Sequence, residues 1–194
     1  MLSAFKTTRL NALRTISSVA NFKTRKMIAD GIFISSLIYV IQLWGGANKT
    51  LISSLQILQN KAARCITKLE FRTPVKLLLQ QCGWLSVRQL VFYHNCLFVF
   101  KTLHSQRPIY FSKKFGRNFQ SGVDQEPVSL RTRLNSTGGI RLEGQVKSDI
   151  SHQAFSHVSA KAWNSLPAGI RQSKTIESFK VNLRQWIKQN IEIE

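Results

Sequence analysis

From Asn48 to Lys68 the chain reads Asn-Lys-Thr-Leu-Ile-Ser-Ser-Leu-Gln-Ile-Leu-Gln-Asn-Lys-Ala-Ala-Arg-Cys-Ile-Thr-Lys, and no other stretch limits the fold so tightly. Leu51, Leu55, Leu58, Ala62, Cys65 and Leu69 recur at alternating steps of four and three, the spacing of one apolar helix face. Lys61, Arg64 and Lys68 repeat those steps. At about 100° per residue they form a second stripe, roughly a third of a turn from the first. Asn48 stands where an N-cap is needed, just after Gly45-Gly46. The basic row of an amphipathic helix is ordinarily just a solvated face. This one is set apart by its surroundings, because Glu70 is the single acid between Asp30 and Asp124.

That imbalance runs through the chain. Its 28 Lys+Arg stand against 9 Asp+Glu, a net charge of +19 over 194 residues. Such a surplus repels itself unless a polyanion neutralises it, so nucleic acid or an anionic membrane surface is the expected partner class. The apolar content of 43% is enough for a real core. Cys65, Cys82 and Cys96 are odd in number and far apart, which fits neither a disulfide framework nor a zinc knuckle and points to a reducing compartment.

In order along the chain, the spacing predicts a first helix with Leu2, Phe5, Leu10, Leu13 and Ile16 inward, then a turn near Asn21. Residues 1 to 29 hold no acid, which also fits a mitochondrial presequence. The apolar run from Met27 to Ala47 is interrupted by Asp30, Ser35, Ser36 and Gln42, so a buried helix suits it better than a membrane span. Trp44 is expected to close the Gly turn that follows. Thr73-Pro74 should open a short helix, with Thr73 as cap, that Gly83 ends and Trp84 plugs. Ser86 should cap a long helix to about His104, apolar nearly all round, with His94 as a core histidine.

Residues 105 to 150 change character. Glycines and prolines break periodicity, while Arg131, Arg133 and other cations alternate with Phe111, Phe115 and Phe119. This composition suits a single-strand-binding loop as well as an unstructured one. Short strands fit residues 140 to 142. Beyond it, Phe155, Val158, Ala162 and Trp163 mark another helix, which Pro167 should end. Thr175 should cap a last helix, with Ile176, Phe179, Leu183, Trp186 and Ile187 inward and Lys180, Arg184 and Lys188 beside them at steps of four. The expected fold is mainly α. A helical bundle (1–104) is followed by an irregular basic linker with room for short strands (105–150) and a small C-terminal helical segment (151–194).

Catalytic constellations are missing from the pattern. The three aspartates are scattered, no nucleophile elbow appears, and the Gly pairs lack the spacing and lysine of a phosphate loop. We expect no catalysis, metal or cofactor.

Five short stretches carry a resemblance. They are Leu43-Trp44-Gly45-Gly46-Ala47, Leu58-Gln59-Asn60-Lys61-Ala62-Ala63-Arg64, Gly83-Trp84-Leu85-Ser86-Val87, Arg107-Pro108, and Trp163-Asn164-Ser165-Leu166-Pro167 followed by Ser178-Phe179-Lys180. In this order the chain resembles the C-terminal region of jockey-like non-LTR retrotransposon reverse transcriptases, downstream of the palm. The resemblance implies a thumb-like helical segment that helps hold template RNA and primer, in the nucleus or cytoplasm, with a polymerase palm as a natural neighbour. The family's paired catalytic aspartates have no counterpart here, so the implied role is grip on RNA or an RNA–DNA hybrid, not synthesis. The cations expected to do this are Lys61, Arg64 and Lys68, then Lys180, Arg184 and Lys188, with Arg131 and Arg133. Trp44, Trp84, Trp163, Pro167 and Trp186 are expected to be structural. A competing reading takes residues 1–26 as a mitochondrial presequence and 27–47 as a membrane anchor. Another takes the chain as a remnant without a ligand.

Overall fold

A computed structural model describes residues 2–105, 107–112, 115, 138–140 and 154–191, with the side chains of 2–7 excepted. Among the described residues the fold is mainly α-helical, with one π-helical turn and no strand. The chain divides into two compact units, Met1–Val91 with Ile191–Glu194, and Phe92–Asn190. This division falls inside the helix Val87–Ser105.

The first unit contains α1 (Leu2–Ser17), α2 (Phe22–Ala29), a π turn (Asp30–Ile34), α3 (Ser35–Ile38), α4 (Ile41–Trp44), α5 (Lys49–Thr67), α6 (Val75–Cys82) and the start of α7 (Val87–Ser105). α5 is its spine, with α1, α2 and α6 packed on it. Asn48 Oδ1 accepts the Leu51 N–H at 2.9 Å, as the cap position predicts. The buried face of α5 is Ile52, Leu55, Gln59, Ala62, Ala63 and Ile66, while Leu51, Leu58, Cys65 and Leu69 flank it half-buried. The inward face is therefore turned by most of one residue from the expected stripe. Gln59 explains the difference. It is fully buried because its amide donates to the Leu85 carbonyl at 2.8 Å, and a satisfied amide can occupy a core position that a bare one cannot.

The apolar run after Met27 is not one helix. Ala29, Phe33, Leu37 and Ile41 are all fully buried at a strict step of four. That step is longer than the 3.6-residue turn of an α-helix, and the wider π turn at Asp30–Ile34 takes up the difference. The Asp30 carboxylate accepts the Trp84 indole N–H at 2.7 Å and Lys26 Nζ at 2.6 Å, and Phe33 stacks on Trp84. Val40 then adopts the left-handed region (φ 49°), which breaks the helix and leaves Tyr39 and Leu43 largely exposed. No helix among the described residues is long and apolar enough to cross a membrane. Trp44 closes this corner by donating to the Tyr39 carbonyl at 3.1 Å. Gly45 is required there, because a Cβ would stand 2.6 Å from the Ile41 carbonyl oxygen and 2.7 Å from Val91. Thr73 does not cap α6; Pro74 takes the cap position, with no side-chain hydrogen bond. At α7, Ser86 Oγ accepts the Gln89 N–H (3.3 Å) while Gln89 Oε1 accepts the Ser86 N–H (3.0 Å), a reciprocal capping box.

The second unit is built from the rest of α7 with α8 (Phe155–Asn164), α9 (Ala168–Arg171) and α10 (Ile176–Asn190). Its core is aromatic. Phe100 stacks on Phe179 with centroids 4.2 Å apart, Trp163 is buried beside both, Phe98 meets Phe111 and Phe155 edge-on, and Trp186 stacks on Phe92. Pro167 stands at the start of α9 and does not end α8, which stops at Asn164. No strand forms at Ile140, and residues 141 and 142 lie outside the described residues. Instead the Asn164 side chain holds Ile140 by both backbone groups: Oδ1 accepts its N–H at 2.8 Å and Nδ2 donates to its carbonyl at 2.5 Å. Trp163 Nε1 donates to the Gly138 carbonyl at 2.8 Å.

Candidate nucleic-acid interface

The basic residues separate into those tied to the fold and those left to solvent. Arg25 is the clearest of the first kind. It is 8% exposed, with Nε donating to the Ile66 carbonyl (2.9 Å) and Nη1 to the Ala20 carbonyl (2.7 Å). Ile66 lies in the last turn of α5, where carbonyls lack intrahelical partners and the helix dipole is negative, so this cation caps the spine helix. Arg9 donates to the Ile32 carbonyl of the π turn at 2.6 Å. Nothing in the periodicity marks these residues, because the Ile66 and Ile32 carbonyls they reach are distant in sequence.

On α5, Lys61 is exposed and stands opposite the buried face rather than a third of a turn from it. Arg64 is half-buried. Its Nη2 donates to the Phe71 carbonyl at 3.3 Å, its guanidinium lies 5.3 Å from the Phe71 ring centroid, and its Nε is covered without a partner. Lys68 does not continue the helical stripe. It is the left-handed C-cap (φ 55°), its N–H donating to the Arg64 carbonyl, with the side chain exposed. The three residues are therefore neighbours along one side of the helix end, but only Lys61 and Arg64 lie on a helical row.

On α10 the expected geometry appears. Thr175 Oγ1 caps it by accepting the Ser178 N–H at 3.2 Å, and Phe179, Leu183 and Ile187 are fully buried. Each such side chain contributes about 1.5–3 kcal/mol. Lys180, Arg184 and Lys188 follow each of these by one residue, about 100° round the helix. Arg184 sits near Tyr93, whose phenol is pushed up by burial against the opposing effect of that guanidinium. Arg131 and Arg133 lie outside the described residues.

Asp30, Glu70 and Glu177 are the only carboxylates among the described side chains. Lys26 takes Asp30 at 2.6 Å. Lys61, Lys68, Lys180 and Lys188 form no ion pair with a described residue. The titratable side chains of His94, Cys82 and Cys96 are packed into the fold. His94 is packed edge-on to Tyr93, and burial, then the Lys101 charge, holds its imidazole below the usual histidine value. Burial likewise pushes the Cys82 thiol up to about 11, with Lys26 opposing and Asp30 reinforcing, and raises Cys96 further. No group of three His, Cys, Asp or Glu among the described residues could hold a metal ion. What the arrangement can do chemically is present fixed ammonium and guanidinium groups to an anion.

Comparison with protein-family models, curated proteins and solved structures returns no match to this chain.

Proposed function

We propose that this chain is a non-catalytic helical module that grips the sugar–phosphate backbone of RNA or an RNA–DNA hybrid, in the manner of the post-palm region of the retrotransposon polymerases its motifs resemble. The observation that carries this reading is the placement of Lys61 and Lys68 in one unit and Lys180 and Lys188 in the other. All four stand off the buried faces with no described carboxylate against them. Lysine and arginine contacts to phosphate supply affinity without sequence information, and an A-form duplex is engaged mainly through its backbone and 2′-hydroxyls.

The test is equilibrium binding to an RNA–DNA hybrid across a salt series. Affinity should fall steeply with salt, and Lys180→Glu with Lys188→Glu should flatten the log–log slope by roughly 1–2, as about 0.7–0.9 is lost per phosphate contact. An unchanged slope, or no binding by the wild type at low salt, sinks the reading. The same preparation should extend no primer in the presence of divalent metal.

A further inference from the structure

Between α5 and α6 the Thr73 N–H donates to the Glu70 carbonyl at 3.0 Å, closing a turn with Phe71 and Arg72 at its tip. The turn is anchored on both sides. Lys68 caps α5, Leu69 packs half-buried against the core, and Leu78 and Leu79 of α6 are fully buried. The Phe71 side chain nevertheless remains 85% exposed.

A lone exposed apolar side chain is ordinary. Phe71 differs in what surrounds it. The Arg64 guanidinium holds its backbone carbonyl and lies toward one face of its ring, leaving the rest of the ring open to solvent. Lys61, Lys68, Arg72 and Lys76 are exposed within ten residues of it in sequence, and Glu70, the one acid of the segment, forms no ion pair with a described residue. An open π face among cations is the combination by which proteins hold single strands: bases stack on the ring while the cations track the phosphates.

We infer that Phe71 is a stacking platform for an unpaired base of single-stranded nucleic acid, with Arg64 bracing the ring and Lys61, Lys68 and Arg72 meeting the flanking phosphates. This rests on the nucleic-acid reading above and adds to it a means of telling unpaired from paired strands.

The experiment measures anisotropy of a labelled single strand and of a hairpin duplex of equal charge, at fixed salt, with the full chain. Phe71→Ala should weaken single-strand binding by about five- to hundredfold while leaving duplex binding within about twofold. Phe71→Trp should retain single-strand affinity. A 2-aminopurine in the strand should change fluorescence on binding the wild type and not on binding Phe71→Ala. Equal loss on both ligands, or no loss on the single strand, overturns the inference. If the wild type still binds duplex in that case, the backbone-grip reading stands alone; if it binds neither ligand at low salt, both fall.

Discussion

α5 and α10 look like two copies of one design in the sequence, an apolar row beside a row of Lys and Arg, and the structure shows that they are not. On α10 the three cations keep a regular step of four beside Phe179, Leu183 and Ile187. At the end of α5 the same kind of row is worked into the fold: Arg64 reaches Phe71, Lys68 turns left-handed to stop the helix, and Arg25 arrives from α2 to take the Ile66 carbonyl. Periodicity tells which side of a helix faces inward. It does not tell where the head of a long cation finishes, because an arginine with five donors can satisfy carbonyls many residues away.

This difference should be measurable as stability. Arg25→Ala should have the largest effect, about 3 kcal/mol lost in urea denaturation, since one buried and one part-buried carbonyl lose a charged donor. Lys188→Ala should stay within about 0.5 kcal/mol. If Arg25→Ala is as mild as Lys188→Ala, the separation of fold-bound from solvent-facing cations fails. Arg64→Ala should fall between them at about 1 kcal/mol, from one neutral acceptor and a loose ring contact, with Lys61→Ala near zero. The smallest effect sharpens the register of α5. At pH 8, Cys65, half-buried on the flank of that helix, should be alkylated in the native protein. Cys82 should resist, because it is buried and its raised pKa of about 11 keeps it as the unreactive thiol. Equal protection of Cys65 and Cys82 would mean the helix is turned back toward the stripe read from the sequence.

Much of the helical skeleton was legible because its signals are local. Asn48, Ser86 and Thr175 cap the helices they precede, and the α10 face follows directly from spacing. Three features were not legible, each for a physical reason. The α5 face was misplaced because a buried Gln59 looks polar until its carbonyl partner at Leu85 is known. The run after Met27 read as one helix because neither a π turn nor a left-handed Val40 has a compositional mark. The anchoring of Arg9 and Arg25 leaves no mark in the spacing because the Ile32 and Ile66 carbonyls are brought near only by folding. On α10 the buried face of Phe179, Leu183 and Ile187 follows from the spacing, with Lys180 half-buried and Lys188 exposed beside it. The α5 set was readable as residues but not as geometry, and Phe71 was passed over because an isolated aromatic in a short connection has no periodic neighbours.

The Asn164–Ile140 pairing has a consequence for how much regular structure this chain needs. A single amide closes a ring with both polar groups of one peptide residue, as an adjacent strand would do, so the buried Ile140 is served by a rung only one residue long. Such a rung is selective in its chemistry. A carboxylate there would offer no proton, an aliphatic side chain would leave both peptide groups dry, and only a side chain holding a donor and an acceptor on one carbon can complete it.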